Sequence, residues 1–216
     1  MHRTVSLGRC SLAVALATIL LTCPAAGLAQ LPLPLPLPSP TTSSIVGNAS
    51  AAQVSVLGIL GTAMTTALAD TGTLTTANNA LDASTLAGGV PAALSAETLS
   101  ASTISWADQV DSEASLGNLT MTVAGVGITA DFVMAQASQV LGAAGSGSST
   151  LTNLAVNGTP IAVTGAPNQA VWIPGGQVII NEQTISSTGA AVVNALHVVV
   201  TGVVDVVVAS ATAGVS

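Results

Sequence analysis

Short β-branched runs, interrupted by Gly, Pro and Asn, fill the last third of the chain. Residues 192–200 read VVNALHVVV, and residues 203–208 read VVDVVV after the Gly202 break. Runs of four to seven such residues, bounded by turn residues, are typical of strands and hairpins. Earlier pairs such as Asn157-Gly158 and Gly175-Gly176 supply further turns. The pattern over residues 151–209 therefore predicts an all-β fold with 198–208 forming two paired core strands.

The N-terminus has the three parts of a secretory signal. Arg3 and Arg9 precede an apolar stretch over residues 11–22, and small residues follow it. Gly27 and Ala29 fit the small-x-small rule, so we expect cleavage after Ala29 and a secreted or cell-surface protein. The alternatives are a retained anchor, for which the stretch is short, and a lipid attached to Cys23.

The predicted mature chain, residues 30–216, contains no Lys, Arg or Cys. The full chain has a formal net charge of −7, to which Arg3 and Arg9 contribute +2, so the mature chain carries nine negative charges and no positive ones. Nucleic acids, phosphoryl substrates and anionic lipids are bound largely through Lys and Arg. These partners are therefore not expected, and disulfides cannot form after cleavage. Stability must come from burying Val, Leu, Ile and Ala, since Trp106, Phe132 and Trp172 are the only aromatic residues.

A Leu-Pro repeat separates the signal from the predicted domain. Residues 31–40 read LPLPLPLPSP, and alternating Pro prevents both helix formation and pairing within a sheet. We expect residues 30–44 to form a linker with a polyproline II spacer. A ligand for an aromatic groove is the alternative function of this segment. The β domain is predicted over residues 45–216.

The middle of the chain gives a mixed set of predictions. Residues 98–106 alternate well, with Ser100, Ser102, Ile104 and Trp106 on one face. Residues 119–123 and 126–140 are predicted as strands, the second with a bulge at Val133-Met134. Polar residues 108–115 indicate a turn, and residues 142–149 a Gly/Ser loop. Residues 59–69 suit a short helix or a strand equally well.

Asp108, Asp111 and Glu113 are the predicted metal ligands. Carboxylates at this spacing can supply oxygen atoms to Ca²⁺, a hard cation. The alternative is a solvated acidic turn that keeps an apolar protein soluble. No other cofactor is expected.

His197 is the one histidine left after the predicted cleavage. On a strand it would share a face with Ala195 and Val199, and Glu182, Asp205 or Ser210 are its possible partners. Acid–base catalysis needs such a pair, but the alternative, a structural histidine bonded to a neighbouring strand, is favoured. The Gly-x-Ser-x-Gly motif of many serine hydrolases is absent from the sequence. We therefore predict that the protein is not an enzyme.

An ordered set of short motifs resembles the bacterial choice-of-anchor P family. The strongest pieces are Val156-Asn157-Gly158, Asn181-Glu182-Gln183 and residues 193–198, VNALHV. The resemblance covers about residues 50–212 and implies an exported surface protein without an established activity. The chain ends at Ser216 without a sorting motif, which favours secretion over covalent anchoring.

Together these features predict an antiparallel β-sandwich, jelly-roll-like, with a β-solenoid as the alternative. The expected function is a non-catalytic structural, assembly or adhesion role outside the cell. Calcium-dependent binding is the second hypothesis, and a hydrolase centred on His197 is the third. Free edges of the strands would allow copies of the chain to associate.

Overall fold

The computed structural model of the chain describes residues 43–57 and 63–216. The predicted signal peptide and nearly all of the predicted linker lie outside these residues. The described part forms thirteen strands: β1 (Ile45–Leu57), β2 (Ala63–Asp70), β3 (Asn79–Val90), β4 (Leu94–Ser105), β5 (Gln109–Val123), β6 (Val126–Val140), β7 (Ser146–Thr152), β8 (Ala155–Val156), β9 (Thr159–Pro160), β10 (Gln169–Ile173), β11 (Gly176–Ile185), β12 (Ala191–Val200) and β13 (Val204–Val215). Residues 43–57 and 63–216 include no helix long and apolar enough to span a membrane.

The strands form two antiparallel sheets that pack face to face. The six-stranded sheet has the order β10-β11-β12-β13-β1-β2. The seven-stranded sheet has the order β3-β4-β5-β6-β8-β9, and β7 also pairs with β6. Strands β1, β12 and β13 of the first sheet pack against β4 to β7 of the second. The predicted antiparallel β-sandwich is therefore confirmed, and the solenoid alternative does not apply to the described residues.

The core between the sheets consists of small aliphatic side chains. Leu, Val, Ile and Ala residues from both inner faces are buried in one continuous cluster, in which Met121 is the single methionine. Burying one Val or Leu stabilises a fold by about 1.5–3 kcal/mol, so many modest contributions replace a few large aromatic ones. The prediction for residues 198–208 is confirmed, because β12 and β13 pair around the turn at Gly202.

A line of paired irregularities crosses the six-stranded sheet. Along β12 the inward residues are Ala191, Val193 and Ala195, and then Leu196 and Val198, so two successive side chains point into the core. The same break in the alternation of buried and outward side chains occurs at Asn181 on β11, Ala209 on β13 and Ala51 on β1. We call these four buried residues, Asn181, Ala195, Ala209 and Ala51, the seam.

The pairing register is unchanged across the seam. Asn194 pairs with Ser210 and Leu196 with Val208, so Ala195 and Ala209 face each other between them. Asn181 and Ala209 adopt left-handed backbone conformations, with φ of 54° and 52°. The backbone thus reverses which side chains point outward while the strands stay aligned. Three of the four seam residues are alanines, and all four are buried.

Three local predictions for the seven-stranded sheet were wrong. Residues 109–115 are the start of β5 and not a turn, because Val110, Ser112 and Ala114 point into the core between polar neighbours. Residues 146–149 belong to β7, which pairs with β6. Of the two alternatives for residues 59–69, the strand is confirmed over residues 63–69, and residues 59–62 lie outside the described part. On β6 the alternation of buried and exposed side chains breaks at Asp131-Phe132, which are both exposed, and not at Val133-Met134, where the bulge was predicted.

Candidate functional site

A polar groove lies on the outer face of the seven-stranded sheet, across β4 to β7. Its volume is about 530 Å³. Two rows of paired residues line it, because outward side chains on neighbouring strands lie side by side. One row is Ser102, Glu113, Gln136 and Ser148; the other is Ile104, Asp111, Ser138 and Ser146. We use "the polar groove" for this surface.

Hydrogen bonds fix both carboxylates of the groove. Ser138 Oγ donates to Asp111 Oδ1 at 2.6 Å, and Gln109 Nε2 donates to Oδ1 and Oδ2 at 3.0 and 2.8 Å. Gln136 Nε2 donates to Glu113 Oε2 at 2.7 Å. Strand alternation aims these side chains outward, and their neighbours on β5 and β6 hold them in one orientation. The groove therefore presents pre-oriented oxygen acceptors beside amide and hydroxyl groups.

The third predicted metal ligand, Asp108, stands apart from the groove. It precedes β5, and its backbone carbonyl accepts a hydrogen bond from the Leu141 amide at 2.7 Å. Asp111 and Glu113 share the outward face of β5 and line the groove, whereas Asp108 does not. The described residues contain no cluster of three or more His, Cys, Asp or Glu side chains suited to hold a metal ion. The structure thus brings together two of the three predicted calcium ligands, Asp111 and Glu113.

A second polar cluster lies on the outer face of the six-stranded sheet, around His197. The His197 ring contacts Glu182 Oε2 through Nδ1 at 2.8 Å and Asp205 Oδ1 through Nε2 at 3.0 Å. Asn194 Nδ2 donates to Glu182 Oε2 at 2.6 Å, and Ser210 Oγ donates to Asn194 Oδ1 at 2.8 Å. We call these five residues the histidine network.

The seam creates the histidine network. In a regular strand Asn194 and His197 would point to opposite faces. Because Ala195 and Leu196 both point inward, Asn194 and His197 are both outward, and each reaches Glu182. Of the three possible partners, Glu182 and Asp205 are confirmed as contacts of His197, whereas Ser210 donates its hydrogen bond to Asn194. The predicted shared face with Ala195 is wrong, since Ala195 is fully buried.

The arrangement of the network suits cross-linking of strands better than nucleophilic catalysis. A serine nucleophile needs a hydrogen bond from its hydroxyl to the base, but Ser210 Oγ donates to Asn194. Both ring nitrogens of His197 lie against carboxylates. The network ties β11, β12 and β13 together.

Sequence reasoning missed the amide and hydroxyl groups of the groove. Gln109, Gln136 and Ser138 belong to no motif, and their relevance depends on the register between β5 and β6. Trp106 is 43% exposed but does not line the groove. Its backbone amide donates to the Gln109 carbonyl at 2.8 Å, next to the Ile104–Asp111 pair.

Comparisons of the chain with models of known protein families, with curated proteins and with solved structures find no match. The structure itself defines the protein as an antiparallel β-sandwich with a polar groove on one outer face. The resemblance to the choice-of-anchor P family stays a prediction.

Proposed function

We propose that the protein is an exported, non-catalytic adhesion module that binds neutral polysaccharide in the polar groove. The observation that carries the proposal is the pair of fixed carboxylates, Asp111 and Glu113, set among amide and hydroxyl groups. Such groups accept and donate hydrogen bonds to the hydroxyls of a sugar. Pre-orientation lowers the entropic cost of binding.

The size and charge of the groove support the same ligand class. Its volume of about 530 Å³ falls in the range of about 300–1,000 Å³ that is usual for small-molecule sites. Residues 30–216 provide no Lys or Arg to neutralise an anionic sugar. Ile104, which lines the groove and is 42% exposed, supplies apolar surface that suits the C–H face of a sugar ring.

Affinity electrophoresis of residues 30–216 through gels containing a β-glucan, an α-glucan or a mannan tests the proposal. We expect at least one polysaccharide to retard the protein, and Asp111→Asn to weaken that binding about tenfold, because a hydrogen bond to a charged acceptor is lost. Asp131→Asn is the matched control. Asp131 is an exposed carboxylate on β6 outside the groove, and it likewise accepts a hydrogen bond, from Asn153 Nδ2 at 2.6 Å.

Three results would contradict the proposal. The first is no retardation by any of the polysaccharides, and the second is equal effects of the two Asp→Asn variants. The third is release of reducing ends from the bound polysaccharide, which would make the protein an enzyme. Retardation that disappears with a chelator and returns with Ca²⁺ would favour the calcium-dependent form of adhesion.

A further inference from the structure

Strand β3 is a long edge strand with almost none of the features that protect edges. It runs from Asn79 to Val90 and pairs only with β4. An unpaired edge offers a row of N–H and C=O groups to another strand, and proteins commonly block it with Lys, Pro or a very short strand. Residues 79–90 contain no Lys and no Pro, and Asp82 is their single charged residue.

The other sheet edges of the described residues are less suited to pairing. Strands β9 and β10 span two and five residues, and β9 contains Pro160. Strand β7 spans seven residues and β2 eight, against twelve for β3. Strand β3 is therefore the longest sheet edge of the described residues.

The side chains of β3 reinforce the open edge. Leu86, near the middle of the strand, is 85% exposed, the highest value among the large hydrophobic residues of the described part. Met64 on β2, the edge strand packed over β3, is 74% exposed. The adjoining edge strands β2 and β3 thus each carry a large apolar side chain exposed to solvent, and a strand paired with β3 would lie beside Leu86.

We propose that β3 pairs antiparallel with β3 of a second copy about a two-fold axis near Leu86, joining two seven-stranded sheets into one. The low charge of β3 indicates the kind of partner. A cationic partner would bind a surface rich in acidic residues, whereas β3 is nearly uncharged and can pair with another uncharged strand such as a second β3. Centring the pair on Leu86 brings the two Leu86 side chains together and keeps the two Asp82 carboxylates at opposite ends. A contact of this kind uses the same patch on both copies.

Sedimentation velocity of residues 30–216 across the micromolar range tests the proposal. We expect a monomer–dimer equilibrium that Leu86→Lys weakens about tenfold or more, because two like charges would meet at the axis. Thr129→Lys is the matched control. It makes the same change of charge at an exposed position of the inner strand β6, and it should leave dimerisation near the wild-type value.

A second variant guards against a folding defect. Ala87→Lys places the charge at the next exposed residue of β3, and circular dichroism should give the same strand signal for all variants. A wild-type chain that stays monomeric throughout the range would overturn the proposal, leaving the edge to another occupant. Equal weakening by Leu86→Lys and Thr129→Lys would also overturn it, since total charge would then explain the change. Retardation by polysaccharide is measured separately, and we expect Leu86→Lys to retain it.

Discussion

His197 lies between two carboxylates of unequal exposure. Its own side chain is 16% exposed, while those of Glu182 and Asp205 are 26% and 52% exposed. Water screens an ion pair more strongly as its members become more exposed. The two contacts of similar length are therefore expected to differ in strength, and the contact with Glu182 carries most of the stabilisation.

Double-mutant cycles in urea unfolding measure this difference. We expect a coupling free energy of about 1 kcal/mol between His197 and Glu182 and of only a few tenths between His197 and Asp205. His197→Ala, Glu182→Ala, Asp205→Ala and the two double variants complete both cycles. A larger coupling for Asp205 would mean that exposure does not set the order. Because the network is placed in the scaffold, retardation by polysaccharide should be unchanged in His197→Ala.

The calcium prediction also belongs to individual residues. Asp111 and Glu113 already accept amide and hydroxyl hydrogen bonds, and Asp108 does not line their groove. We therefore expect the thermal unfolding midpoint to be the same with millimolar Ca²⁺ and with a chelator. A rise in the midpoint with Ca²⁺ that Asp111→Asn abolishes and Asp131→Asn preserves would establish a calcium site at Asp111.

The partners of His197 could be named from the sequence, since few charged residues remain in the C-terminal strands. The residues that orient Asp111 could not. Gln109 and Ser138 are ordinary polar residues, and they meet Asp111 only because of the register of β5 and β6. The contacts of a single residue were thus predictable where few charged partners were available, and unpredictable where many ordinary polar residues could have been the partner.

At the scale of strands, the seam is the feature that departs most from regular geometry. Ala209 and Ala195 face each other on β13 and β12 and are both fully buried. Only Ala209 has a positive φ, 52°. The left-handed conformation costs a residue with a Cβ atom about 1–2 kcal/mol, whereas glycine adopts it freely.

Glycine substitution at the two positions should have different effects. Ala195→Gly loses a buried methyl group and gains backbone entropy in the unfolded state, so we expect a loss of about 1–2 kcal/mol in unfolding free energy. Ala209→Gly suffers the same losses but relieves the left-handed strain, so its stability should stay close to the wild-type value. Equilibrium unfolding in urea measures both. Equal losses would show that the backbone at Ala209 is not strained.

The strands were predictable to the extent that their inward residues are large. The Val-rich β12 and β13 were predicted from periodicity. The first inward residues of β5 are Val110, Ser112 and Ala114, and this part of β5 was mistaken for a turn. Small or polar inward residues give a weak alternating pattern although the positions are buried. The seam itself leaves no sequence pattern, because alanine is common on both sides of a strand.

At the scale of the whole molecule, a single sign of charge dominates. Residues 30–216 carry nine acids and no Lys or Arg. Like charges keep copies of a protein apart at low ionic strength, and they oppose association that other forces favour. Two copies that pair through β3 must overcome this repulsion. Strand β3 itself contributes only Asp82 to it, so most of the repulsion comes from the other eight acids.

Salt should therefore strengthen association of the chain. The screening length falls from about 30 Å at 0.01 M ionic strength to about 10 Å at 0.1 M, so NaCl shields the acids of one copy from those of the other. We expect the dimer dissociation constant, measured by sedimentation at fixed pH, to fall over this range and then level off. Thr129→Lys lowers the net negative charge by one, so it should show a smaller dependence on salt. An association that weakens as NaCl is added would mean that opposite charges hold the copies together, which the composition of residues 30–216 does not provide.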